Sequence, residues 1–262
     1  MKMEFPLLSF LLFAAVLPGA PSEPANTDQI AAQAEGAIER AGLRADAAAL
    51  AAAIKSLDSA LAVMPDQPAL LYTRGFAAYL SSGLHWRPND HAAREQCLNE
   101  TADYLKRVKG APWEAEAAAM QGTVLGELIA LAKDPAKAGA TLGPESGRLL
   151  AEATAGAPTS PRILVFRGRS LLFTPKEYGG DPAQAVALLQ QAVDRFAAPG
   201  TPPPGPTWGH ADALAWLGLA QQRAGDPAAA RAAWQQALAI EPNYAWVKFA
   251  LLPSLDKAPT TR

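Results

Sequence analysis

Apolar residues recur three and four positions apart along most of this chain, and strict apolar–polar alternation is sustained nowhere. The first spacing is helical, because 3.6 residues per turn bring i, i+3, i+4 and i+7 onto one face. β-branched residues are sparse, which removes the remaining strand signal. Prolines punctuate the pattern: Asp66 stands before Pro68, Ser160 before Pro161, Asp181 before Pro182 and Asp226 before Pro227. A cap side chain accepts from orphan N–H groups, and a first-turn proline has no N–H to leave unpaired. Gly110 and Gly225 read as C-terminal stops. These signals predict helices near 29–41, 46–64, 68–82, 91–108, 112–133, 144–155, 161–173, 182–197, 207–224, 227–241 and 243–251. The short links predict antiparallel neighbours.

The pattern repeats. Gly75, Gly122, Gly168 and Gly218 recur at similar intervals, and the first three each follow a proline (Pro65, Pro112, Pro158) by the same distance. Leu71, Leu164 and Leu214 each lie four residues before their glycine. Ala53, Leu57, Ala60 and Pro65 mark the second helix of one unit. Ala230, Trp234, Ala237 and Pro242 mark that of another. The segment Leu71-Tyr72-Thr73-Arg74-Gly75 matches Leu164-Val165-Phe166-Arg167-Gly168, and each is followed by a loop (83–90 and 174–181) carrying an aromatic, a proline and a base.

These spacings resemble the tetratricopeptide repeat, most fully over 207–245, where Leu214, Leu217, Gly218, Gly225, Ala230, Trp234, Ala237 and Pro242 all fall in place. Elsewhere the match loosens. Glu100 and Ser146 stand where the family has Ala, Arg107 replaces a later Ala, and the period exceeds the family's roughly 34 residues. The resemblance implies an all-α, right-handed stack of about five antiparallel helix pairs plus a C-terminal capping helix, over 26–252. It extends to exported bacterial proteins of this type, such as the T component associated with TRAP transporters and helical accessories of lipid trafficking. What it implies is binding: a partly apolar ligand, or a partner protein of a transport or envelope system. A scaffold for an extended peptide is the second reading, and a metal-dependent enzyme the third.

In such arrays the first helix of each pair lines the concave face. That mapping puts Tyr72, Phe76 and Tyr79 there from one unit, Arg169, Leu172 and Phe173 from another, and Leu219 from the last. Ala119, Thr123 and Gly126 leave space between them. Trp86 and Tyr178 in the two loops complete a candidate aromatic set, although aromatics at helical spacing also simply fill cores. Arg74 and Arg167 stand where the family packs a Leu. Each either holds an anionic ligand group or pairs with a carboxylate such as Glu95, Glu100 or Asp194, its stem lying on apolar neighbours. Trp208, Trp216, Trp234, Tyr244 and Trp246 are expected to seal the open end of the array.

Composition narrows the functions. Net charge is −2, with no basic block, which argues against nucleic acid as a partner. Lys2, the apolar run from Pro6 to Leu17 and the small residues Pro18-Gly19-Ala20 read as a cleavable signal peptide over 1–20, with Ala25 a second cleavage position. The run is too short to span a bilayer, so the expectation is a periplasmic chain. Cys97 stands alone, so no internal disulfide is expected. Residues 253–262 read as a disordered tail, and Pro199–Pro206 as a stiff connector. No nucleophile motif or phosphate loop appears, and no cofactor is expected. His85, Asp90, His91, Glu95 and Cys97 cluster in sequence. His91 and Glu95 share a helix face one turn apart and could hold a metal, with His85 joining from the loop, but real sites need three or four convergent ligands. The cluster also reads as a polar helix start with Asp90 capping and Cys97 buried.

Overall fold

The computed structural model describes residues 24–200 and 205–256. Every regular element among them is helical. The helices are α1 (Pro24–Leu43), α2 (Ala47–Val63), α3 (Pro68–Ser82), α4 (His91–Leu105), α5 (Trp113–Leu131), α6 (Pro135–Gly156), α7 (Pro161–Phe173), α8 (Pro182–Ala197), α9 (His210–Arg223) and α10 (Pro227–Ile240). A π-turn at Val247–Leu251 and a last turn at Leu252–Ser254 follow. The expected signal peptide lies outside the described residues. So does the end of the expected tail; within its first residues Asp256 pairs with Arg231 at 3.0 Å.

Caps fix where the helices begin. Asp181 accepts from Ala183 N and Gln184 N, Asp226 from Ala229 N and Ser160 from Ile163 N. Asp46 and Asp134 do the same work for α2 and α6. Asp66 does not cap α3. Gln67 holds that position and makes no side-chain bond there. Pro144, read as a helix start, lies inside α6.

Sequential helices pack as pairs, α3 on α4, α5 on α6, α7 on α8 and α9 on α10, and neighbouring pairs meet through α1 on α3 and α5 on α7 and also through α4 on α5 and α8 on α9. Burial separates two layers. In α8 and α10 one stripe is buried, as for a surface helix. In α3 nearly every residue from Ala69 to Ala78 is buried, and α7 is buried almost all round from Pro161 to Arg169. The odd helices therefore form an inner layer. They run parallel: Thr73 faces Glu35 and Leu80 faces Gly42 between α3 and α1, while Glu116 meets Arg162 and Glu127 meets Arg169 between α5 and α7. The turns after them, 83–90 and 174–181 included, thus share one edge.

The recurring glycines mark where helices nest. A Cβ at Gly75 would meet Leu105, at Gly122 Leu150, at Gly168 Leu189 and at Gly218 the indole of Trp234. That indole is buried and fixed by Nε1 donating to the Ala215 carbonyl at 3.0 Å. Gly218→Ala should therefore lower stability by about 1–3 kcal/mol through overpacking. Gly126→Ala, where an added Cβ meets nothing, should raise it by about 0.5–1 kcal/mol. Urea midpoints of the two variants check the opposite signs.

The inner layer closes on itself. Glu35 in α1 accepts from the Thr207 backbone N at 2.9 Å and its hydroxyl at 3.2 Å, Glu39 accepts from Gly209 N at 2.8 Å, and Arg44 pairs with Glu241 at 3.0 Å. Burial pushes the Glu35 carboxyl from an ordinary 4.5 up to about 7, against the bonds from Thr207 and the charge of Arg162. Between those values the folded chain keeps a proton that the unfolded chain has released. The associated stability is complete below pH 4.5 and fades as pH rises towards 7. Relative to Glu35→Gln, the wild type should lose about 2–3 kcal/mol between roughly pH 5 and 8. Glu39, raised by burial in the same way, leaves a residual slope in both proteins. Urea unfolding across that range measures it.

Candidate functional site

The open hollow expected on the inner face is filled. Tyr72 and Phe76 are 0% and 1% exposed and present nothing to a ligand. The cause is Trp208, which does not begin α9 but turns inward ahead of it. Its ring stacks on Phe76 with centroids 4.1 Å apart and meets Phe166 edge-on at 6.0 Å. Tyr72 packs on Trp113 at 5.4 Å. Beneath them Glu116 and Arg162, both buried, pair at 3.1 Å. Stacking a connector residue on the inner stripe buries more apolar surface than a solvated groove would.

Arg74 is likewise structural. It is buried, with Nε donating to Asp58 at 2.7 Å and Nη2 to Glu100 at 2.5 Å, and its guanidinium lies 4.6 Å over the Tyr104 ring. Arg167 is half-buried and stands apart from the other candidates, in a cleft between α6 and α7.

Tyr79, Arg169 and Phe173 do come together, at the C-terminal ends of the inner helices. Arg169 Nη2 donates to Glu127 Oε1 at 2.8 Å, Arg94 Nη2 to Glu127 Oε2 at 2.8 Å, and the Tyr79 hydroxyl to Oε1 at 2.8 Å. Burial alone would raise the Glu127 carboxyl. The facing Arg169 and Arg94 charges and the bonds from Arg94 and Tyr79 outweigh it and hold the group below its ordinary value. The Arg169 guanidinium also lies 4.2 Å over Trp216. Trp216 Nε1 donates to Asp212 at 3.0 Å, and Tyr244 donates to the other oxygen at 2.9 Å. Burial pushes Asp212 upward, and Arg169 and those two bonds pull against it.

This polar floor balances two guanidiniums against two carboxylates and is tied together by the bonds from Tyr79, Arg94, Arg169, Trp216 and Tyr244, so it supplies rigidity more than charge. The contact surface is the aromatic step above it. Trp216 meets Trp246 at 4.6 Å, and Phe173 stands edge-on to Trp216 at 5.9 Å. Phe173 is 52% exposed, and the Arg223 guanidinium lies 4.3 Å over its ring. Arg223 donates to the Leu172 carbonyl and keeps donors towards solvent. Trp86 and Tyr178, both strongly exposed, sit in the turns after α3 and α7 on the same edge.

No family model matches the chain, and no curated protein matches it. A solved structure does. The chain is similar to the HusA haemophore from Porphyromonas gingivalis, with 21% sequence identity and a TM-score of 0.55 over 76% of this chain and 92% of that one. At that identity the likeness concerns the fold.

Glu127, Asp212 and Arg223 were not singled out by sequence reading. A carboxylate on a helix gives no local sign that its partner lies on another helix. Trp216, Tyr244 and Trp246 were expected as an end cap; they do pack together, and also form the back of the step. Among the described residues no three His, Cys, Asp or Glu side chains converge as a metal cluster, and no helix is long and apolar enough to cross a membrane.

Proposed function

We propose that this is a non-enzymatic binding protein that takes a flat, largely apolar ligand with an anionic substituent on the aromatic step of Phe173, Trp216 and Trp246. The observation that carries it is an exposed Phe173 with a solvent-facing guanidinium stacked on it, mounted on a floor too rigid to fold over and bury it. An aromatic face offers stacking, and Arg223 offers a charge-assisted hydrogen bond to a carboxylate. Phe173 is exposed and the half-buried Trp216 and Trp246 continue its surface, which makes the step a contiguous apolar patch rather than a lone side chain.

A porphyrin has this chemistry, and the haemophore of similar fold makes it the first ligand to try. The step provides no His, Cys or Met for an iron, so recognition runs through the ring face and carboxylates. Haemin and metal-free protoporphyrin should bind alike. Both should quench the fluorescence of Trp216 and Trp246, and Phe173→Ala together with Arg223→Gln should weaken both by about tenfold or more. No quenching by either compound at 100 µM, with nothing apolar co-purifying by mass spectrometry, would sink the proposal.

The leader-like first twenty residues support an exported, periplasmic setting, and the repeat spacings support an accessory role in solute or lipid transport. Detection of the mature chain in a periplasmic extract tests the first. Docking of a partner protein on the same edge, with Trp86 and Tyr178 as anchors, is the second reading. An extended peptide along the inner face is disfavoured because Trp208 fills that space.

A further inference from the structure

We infer that Arg167 forms a second binding site, separate from the aromatic step, for the carboxylate of a small amphiphilic acid in the cleft between α6 and α7. The argument is a comparison of the chain with itself. Leu57, Ala60, Pro65 and Gly75 map onto Leu150, Ala153, Pro158 and Gly168 at one constant offset, which makes Arg74 and Arg167 the same position in two copies of one unit. Both leucines are buried and both glycines abut a leucine of the next helix, Leu105 and Leu189. The backbones are therefore equivalent.

The surroundings are not. Arg74 is closed in by Asp58, Glu100 and the Tyr104 ring. Asp58 maps onto Ala151. Counting back from Leu105 and Leu189, Glu100 maps onto Gln184 and Tyr104 onto Leu188. Every partner that neutralises the first arginine is replaced by an uncharged residue beside the second. Ile54, a partly buried residue one turn before Asp58 that packs on the core, maps onto Gly147. The result is an open cleft of about 390 Å3 lined by Gly147, Leu150, Ala151, Thr154, Ser170 and Leu171, with Arg167 in its wall. No carboxylate among the described residues pairs with Arg167.

The lining selects the ligand. A guanidinium in a cleft wall with no counter-ion favours an anion that accepts two parallel N–H bonds, as a carboxylate does. Leu150, Ala151 and Leu171 offer the remainder of the ligand an apolar wall, which a bare inorganic anion would not use. The volume falls in the range that holds small ligands.

Decanoate is the probe, with decanol as its uncharged counterpart, titrated calorimetrically into the full mature chain. The wild type should bind decanoate, and decanol about tenfold more weakly or worse. Arg167→Gln should lose about tenfold or more in affinity. Ala151→Asp rebuilds the clamp found at Arg74 and should do the same, with helicity and melting temperature kept. That makes it the variant that separates ligand loss from misfolding. Porphyrin quenching, read on the same Ala151→Asp protein, should be unchanged, so the two sites stand or fall separately. No decanoate binding at millimolar concentration, equal affinity for decanol, or undiminished binding by Ala151→Asp would each overturn the inference.

Discussion

Trp208→Ala is expected to cost about 3–5 kcal/mol, the range for deleting a buried tryptophan without collapse of the space it leaves. Collapse is hindered on every side. Phe76 and Phe166, the two rings that Trp208 packs on, sit on helices buried all round, so their backbones have little room to move into the gap. The flanking connector is pinned independently, through Thr207 to Glu35 and Gly209 to Glu39, so it cannot swing another residue into the gap. The variant should remain helical, melt at a lower temperature and bind more of an uncharged apolar dye than the wild type does, because Tyr72 and Phe76 would then line a hollow. Trp86→Ala, at a residue 72% exposed, should leave stability within about 0.5 kcal/mol and serves as the control. A melting temperature for Trp208→Ala within a degree of the wild type would show that the ring fills no space the fold depends on.

The same residue shows where sequence reasoning stops. Helices α3, α7 and α8 were legible to the residue, because a first-turn proline and a periodic stripe are local signals. So were the nesting glycines, since close approach leaves its mark in the residue that permits it. The start of α6 was missed at Asp134-Pro135, which carries the same cap-and-proline sign as Asp181-Pro182, because Pro144 offered a second plausible start further on. Trp208 lies in a connector, where periodicity has nothing to say, and its partners are on α3 and α7. The closure by Glu35 and Thr207 joins residues 172 positions apart. Of the candidate site, Tyr79, Arg169 and Phe173 were readable from repeat position alone. Glu127 and Asp212 were not, since a buried carboxylate is defined by the arginine it faces rather than by its own neighbours in the chain. Arg74 and Arg167 looked interchangeable in sequence and differ only because their surroundings do.

Glu116→Leu should also cost about 3–5 kcal/mol, because it strands the Arg162 guanidinium without its counter-ion. Both side chains are about 5% exposed or less, and Glu116 Oε1 accepts from Arg162 Nη2 and from the Ser160 hydroxyl together. Arg162 has one further contact, to the Trp208 carbonyl at 3.4 Å, too long to neutralise a charge. What is lost on deleting Glu116 is therefore mostly the penalty of a buried cation left without a hydrogen-bonded counter-ion, with only the more distant Glu35 and Glu39 carboxyls to face it, not the worth of the pair. A double variant distinguishes the two. Glu116→Leu combined with Arg162→Met removes both charges and keeps much of the volume, and such exchanges are often neutral or better. It should recover more than half of the stability lost in Glu116→Leu alone, measured by urea unfolding at constant pH. A double variant no more stable than the single one would mean that the ion pair itself, with its bonds to Ser160 and Trp208, holds α5 against α7, and that the inner layer depends on charge rather than on apolar packing at its centre.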